Sequence, residues 1–131
     1  MLTFIVPVKS EKLAADWPAF CKLFQRSLKS ICNQENPDFK VVVVCHEIPQ
    51  IDFTSEKVTY VQVDFAPPTL VKDDWDKNRA LKEGDKAKKI QHGMAHARQY
   101  DPDYVMVVDS DDCISNKIVS FVAQQDQNSP G

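Results

Sequence analysis

Three carboxylates stand within four positions at Asp109, Asp111 and Asp112, directly after the apolar run "YVMVV" (Tyr104–Val108). Like charges that close repel one another, so the cluster calls for a positive partner. Oxygen ligands suit hard divalent cations such as Mn2+ or Mg2+, which usually keep some water and take further ligands from substrate phosphates. In an extended segment residues i and i+2 point the same way. Asp109 and Asp111 are therefore expected to converge on one ion, with Asp112 beside them. A bridged metal would attract a diphosphate that bare carboxylates would repel, and would stabilise its charge on departure. D-x-D alone is common, and a solvated acidic turn before a helix would read the same. Placement at a strand end in an alternating chain is what favours a site.

Other chemistry fits less well. An EF-hand needs glycine at its sixth loop position and usually glutamate at its twelfth; counted from Asp109, those places hold Ile114 and Ser120. A phosphatase of the haloacid-dehalogenase type would carry D-x-D-G-T/V on its first strand, whereas "DSDDC" follows the fourth. His92 and His96 stand four apart, but on the face opposite the expected apolar stripe, and no third zinc ligand is suggested by spacing. Cys45 has His46 as its neighbour, yet nothing in the sequence lowers its pKa.

Elements must bring these residues together. "LTFIVPV" (Leu2–Val8) is continuous and β-branched, as a strand buried on both faces would be. In Asp16–Gln34 the residues Trp17, Phe20, Phe24, Leu28 and Ile31 recur at steps of three and four, one stripe of a helix. Asp16 can cap it and Pro18 is tolerable in its first turn. "KVVVVC" (Lys40–Cys45) and "KVTYVQV" (Lys57–Val63) predict two further buried strands. The polar stretch 64–85 predicts mostly loop with one turn of helix, long enough to suggest a functional lid. Lys86–Tyr100 predicts a helix with a stripe of Ala87, Ile90, Met94 and Ala97, and Gly93 permits close packing. Tyr104–Val108 is a fourth strand and Asn116–Gln125 a final helix.

Buried strands alternating with amphipathic helices predict an α/β fold, a mostly parallel Rossmann-like sheet with helices on both faces. In open parallel sheets ligands sit beyond the carboxyl ends of the strands. Those ends are Pro7–Val8–Lys9, Cys45–His46–Glu47, the start of the 64–85 stretch, and Asp109–Asp112. A helix beginning at Lys86 would add that lysine and its unpaired backbone N–H groups to the same rim.

The bulk numbers set limits. The chain of 131 residues makes one domain, 1–131, or part of a larger one. Apolar residues at 43% are enough for a core, and a net charge of −3 without a basic stripe disfavours nucleic acid as a partner. Four scattered cysteines without C-x-x-C spacing read as reduced thiols. The longest wholly apolar run is Val41–Cys45 and no leader peptide is visible, so no transmembrane segment and a cytoplasmic location are expected.

In order and spacing the chain resembles the N-terminal half of the family 2 glycosyltransferases, which have the GT-A fold. "FIVPV", "LFQRSLKSICNQ" and "NPDFKVVVV" correspond to the family's opening strand, helix and second strand. "KAKKIQHG" is similar to its "KAxALNxG" helix, and "VVDSDD" to its "FLDSDD" strand end. The resemblance covers almost the whole chain. It implies a nucleotide diphosphate sugar, a UDP-sugar above all, bound with Mn2+ or Mg2+ and transferred to an unidentified acceptor. It places Asp109 near ribose and metal, Asp111 and Asp112 at metal and sugar, Lys86 beside the diphosphate or the nucleoside, and Pro7 and Val8 at the nucleoside. Lys9 stands where an aromatic or other polar residue is frequent. Where the family has Asp-Asp-Gly-Ser after its second strand, this chain has Cys45, His46, Glu47 and Ile48. Cys45 accepts hydrogen bonds poorly, which leaves the base open and Glu47 as a possible substitute.

Nothing after "DSDD" corresponds to the family's acceptor half with its general base. Two further readings follow: a nucleotide-sugar-binding module without turnover, and a nucleotidyltransferase. The second is disfavoured by the lack of a glycine-rich phosphate loop.

Overall fold

The computed structural model describes residues 1–127 and shows an α/β domain with one parallel sheet. In chain order the elements are β1 (Leu2–Pro7), α1 (Trp17–Cys32), β2 (Phe39–Cys45), β3 (Val58–Gln62), α2 (Trp75–Ala97), β4 (Tyr104–Val107) and α3 (Ile118–Gln127), with short 3-10 turns at Glu11–Leu13 and Arg98–Tyr100. The strand order is β3-β2-β1-β4, and all three pairings are parallel. No helix among the described residues is long and apolar enough to cross a membrane.

The alternation of side chains along β1 and β2 separates two cores. Leu2, Phe4, Val6, Phe39, Val41 and Val43 face Phe20, Phe24, Leu28 and Ile31 of α1, joined by Val119 of α3. Ile5, Val42 and Val44 occupy the opposite face, where α2 packs on β1 and β2. Helices therefore cover both faces, as two continuous apolar strands require. The α1 start is as the sequence predicts: the Asp16 carboxylate accepts from the Ala19 N–H at 3.1 Å, with Pro18 in the first turn.

Besides β3, expected to be buried but found at a sheet edge and only partly covered, two elements differ from expectation. Helix α2 begins at Trp75, eleven residues before Lys86, which is about three turns or roughly 16 Å. Only 64–74 of the stretch expected to be loop is irregular, and it is anchored at both ends. His46 Nε2 meets the Phe65 carbonyl at 2.9 Å, and the Asn78 amide bonds both backbone groups of Val71 at 2.6 and 2.7 Å. The face that α2 turns to the sheet is Asp85, Lys89, Gly93 and Ala97, one residue per turn, while Ala87 and Met94 are exposed. The hydrophobic period suggested the wrong phase because the true stripe is hardly hydrophobic. The second difference is β4, an edge strand with Tyr104, Val105 and Val107 substantially exposed. Helix α2 lies over β1, β2 and β3, and the outer side chains of β4 emerge beyond it.

Close contact at Gly93 fixes how deep α2 sits. A Cβ added there would meet Ile5 Cγ2 at 2.7 Å and Val44 Cγ2 at 3.0 Å, both on β-branched side chains with little freedom to retreat. Gly84, nearer the start of the helix, has nothing within 4 Å of such a Cβ. Gly84→Ala should raise stability by roughly 0.5–1 kcal/mol through helix propensity. Gly93→Ala should lower it by about 1–2 kcal/mol, because overpacking outweighs the same gain. Urea unfolding of the two variants measures this; equal shifts would mean that α2 is not pressed onto the sheet.

Candidate functional site

Strands β1, β2 and β3 are laid down in one direction across the sheet, and β4 is added on the other side of β1. The order reverses between β1 and β4, which is where parallel sheets open a crevice at their carboxyl ends. Register sets that edge: Ile5 is paired with Val107, and the Val108 N–H donates to the Ile5 carbonyl at 2.9 Å. The residues that leave the two strands, Pro7–Lys9 and Asp109–Asp111, therefore emerge side by side.

A cleft of about 380 Å³ lies at this point. Pro7, Val8, Lys9, Lys86, Asp109 and Asp111, all expected from the sequence, line it. The acidic segment is not extended, however. The Asp112 N–H donates to the Asp109 carbonyl at 3.1 Å, so Asp109–Asp112 forms a turn. The turn keeps Asp109 and Asp111 on the cleft and sends Asp112 to an adjoining hollow beside Val107 and Cys113. Ser27 of α1 donates its hydroxyl to the Asp112 carbonyl, and the Ile114 N–H bonds Ser30 Oγ at 3.1 Å. Two serines of a helix thus hold the turn in place.

Lys86 reaches the rim from the fourth turn of α2 rather than from its first residue. Its ammonium lies 2.6 Å from Asp109 Oδ1, with both side chains about half exposed. The helix start that was expected to supply free N–H groups is elsewhere, and the Asp74 carboxylate already accepts from the Lys77 N–H at 3.1 Å.

The end of β2 contributes nothing to the cleft. Cys45 is fully buried, and desolvation pushes its thiol up to about 11, so it is neutral. Glu47 is committed elsewhere: one carboxylate oxygen accepts from the Ser10 hydroxyl and the other from the Glu11 N–H, each at 3.1 Å. It ties down the segment after β1 and is not among the residues that line the cleft.

Lys82, Asp85 and Lys89 line the cleft and were not anticipated from the sequence. Lys89 is 1% exposed and Asp85 8%, and they form an ion pair of 2.6 Å along the sheet-facing side of α2. Asp85 Oδ1 is buried without a hydrogen-bond partner, a deficit that typically costs about 1–3 kcal/mol. The spacing of acid and lysine at i and i+4 was visible; what hid it was the assumption that the helix began at Lys86. The cleft thus holds two ion pairs, Lys86–Asp109 and Lys89–Asp85. Among the described residues Lys9 and Lys82 form no ion pair; the Lys9 ammonium rests over the Phe20 ring at 4.9 Å. Asp111 is the one cleft carboxylate outside these pairs.

Among the described residues no group of three or more His, Cys, Asp or Glu side chains is arranged to hold a metal ion. Two carboxylates on one cleft still fit Mn2+ or Mg2+, which bind through one or two carboxylates together with substrate phosphates. His92 points away from any such set, its Nδ1 within 2.8 Å of the Lys88 carbonyl.

The buried thiol gives a pH test of how the rim is packed. An unfolded thiol ionises near its ordinary value of 9, and Cys45 near 11. Between those values the unfolded chain releases a proton that the folded chain keeps, so stability falls as pH rises through that window. Burial raises the Cys32 thiol above 9 as well, which adds to the fall, and pushes Tyr60 up to about 12 from 10, which extends it. The urea midpoint should decline steadily above about pH 9, and Cys45→Val should flatten the first part. A variant that declines like the parent would place Cys45 in contact with solvent. No protein-family model, curated protein or solved structure matches this chain.

Proposed function

We propose that this chain is the donor-binding domain of a GT-A-like, metal-dependent glycosyltransferase that takes a nucleotide diphosphate sugar, a UDP-sugar first among them. The observation that carries the proposal is the meeting of Asp109, Asp111 and Lys86 on one cleft at the reversal of strand order. A diphosphate needs positive charge, and the cleft offers it from two lysines outside any ion pair among the described residues, Lys82 and Lys9, the latter resting over the Phe20 ring. Lys86 would follow once released from Asp109. Asp109 and Asp111 would hold the metal, which when bound neutralises the leaving diphosphate. The apolar wall of Pro7, Val8, Leu13 and Phe20 suits the flat face of a nucleoside.

The reaction would break the bond between the sugar's anomeric carbon and the diphosphate oxygen, leaving the electron pair on that oxygen. A bond from an acceptor hydroxyl would form at the same carbon, and its proton would pass to a base. Among the described residues no cleft side chain is left for that base. Asp85 is paired with Lys89, and the remaining cleft carboxylates are assigned to the metal. This favours a second reading for the chain by itself, a domain that binds the donor without turning it over.

Isothermal titration with UDP and UDP-sugars, with and without MnCl2, tests the proposal. Binding should require the metal, and Asp111→Ala should weaken it at least tenfold, about 1.4 kcal/mol. Unchanged affinity in that variant would remove Asp111 from the site. Release of UDP from a UDP-sugar in the same samples separates the two readings, since a binding-only domain gives none.

A further inference from the structure

The least expected feature of the cleft is a charged pair where a helix meets a sheet. Gly93 and Ala97, the next two residues of the same stripe, are small and closely packed. Asp85 and Lys89 continue that stripe toward the rim and bury two charges there. Apolar residues of similar volume generally serve packing as well as a buried ion pair does. This pair is also incomplete: Lys89 satisfies Asp85 Oδ2, while Oδ1 has no partner. Both residues contribute to the lining of the cleft, which also includes Pro7 and Val8 of β1, and the Asp85 Oδ1 and the Lys89 side chain lie just beneath its surface.

A reader for the nucleobase has to come from somewhere on this rim. The end of β2 offers a buried neutral thiol at Cys45, a His46 whose Nε2 meets the Phe65 carbonyl while its Nδ1 is buried without a partner, and a Glu47 engaged with Ser10 and Glu11, and none of the three lines the cleft. We infer that Asp85 and Lys89 form the base-reading element of the cleft, selecting a base whose edge presents an N–H beside a carbonyl. The unpartnered Asp85 oxygen accepts from the ring N–H, and Lys89, whose ammonium has donors beyond the one given to Asp85, donates to the adjacent carbonyl. Uracil has that edge. Cytosine inverts it, with an acceptor at the ring nitrogen and a donor at the neighbouring exocyclic position, so it would leave both protein groups opposed. A site built on polar groups rejects a ligand that cannot pair with them. The inference rests on the nucleotide-binding reading above and adds which residues choose the base.

Replacing either residue alone would strand a buried charge, so the test uses the double variant Asp85→Leu/Lys89→Met, in which an apolar pair replaces the ionic one and the fold is expected to persist. Far-UV circular dichroism and a thermal melt check that it does, and Asp85→Asn, the one single replacement that keeps both the shape and an oxygen acceptor for the Lys89 ammonium, serves as a milder companion checked for folding in the same way. UDP, CDP and inorganic pyrophosphate are titrated into each protein with MnCl2. The parent should bind UDP at least tenfold more tightly than CDP. The folded double variant should bind the two within twofold of each other, with pyrophosphate affinity unchanged, and Asp85→Asn should lower the UDP-to-CDP ratio in the same direction. A folded variant that keeps the parent's ratio overturns the inference while leaving the nucleotide reading intact, as does a parent that binds UDP and CDP alike. A parent that binds neither nucleotide overturns both. If the double variant does not fold, Asp85→Asn decides: an unchanged ratio there overturns the inference.

Discussion

All four strands run in the same direction, and the reversal of order between β1 and β4 follows from placing the last strand beside the first. Everything proposed for this protein depends on that constraint. It delivers the ends of two strands distant in sequence, Pro7–Lys9 and Asp109–Asp111, to one corner without requiring them to attract each other. The sheet's hydrogen bonds and its two apolar faces hold them there. Helix α2 completes the corner because Gly93 lets it lie directly on Ile5 and Val44. A helix held farther out would carry Asp85, Lys86 and Lys89 away from the strand ends.

The electrostatics of the corner follow from this packing. Two of its carboxylates are neutralised by lysines of α2, one pair exposed and the other buried. The exposed pair, Lys86–Asp109, contributes at most about 1 kcal/mol to stability. It can be exchanged for other partners at little cost, which suits groups that must meet a ligand. Asp85 and Lys89 behave differently, since burial makes each depend on the other and separation expensive. The cleft therefore combines an adaptable ionic lip with a fixed polar floor.

Much of this was legible in the sequence. Continuous apolar runs gave β1 and β2, because a strand covered on both faces shows no polar alternation, and the three-and-four stripe gave α1 with its Asp16 cap. Helix α2 was obscured for a physical reason: its buried face is Asp85, Lys89, Gly93 and Ala97, which is hardly apolar, and no residue of 75–84 is buried, so the usual apolar period is missing. Strand β4 misled in the other direction. Its composition is that of a covered strand, yet it lies at an edge with valines exposed. The cleft residues at strand ends could be inferred from topology. That Cys45 and Glu47 are occupied elsewhere could not, since it depends on the 3-10 turn at Glu11–Leu13 and on the depth of β2. Asp109 and Asp111 were expected to face one way on an extended backbone; they line one cleft from a turn held by Ser27 and Ser30 instead.

The claim that the acidic turn recruits a divalent ion for an anionic donor can be tested residue by residue with amide NMR spectra of the whole chain. A small amount of Mn2+ added with UDP should broaden the signals of Val8, Lys9, Lys86 and Asp109–Asp111, while those of Asp38 and Asp103 at the opposite end of the strands stay sharp. Broadening confined to that far end, or none near the turn while UDP is bound, would contradict the account.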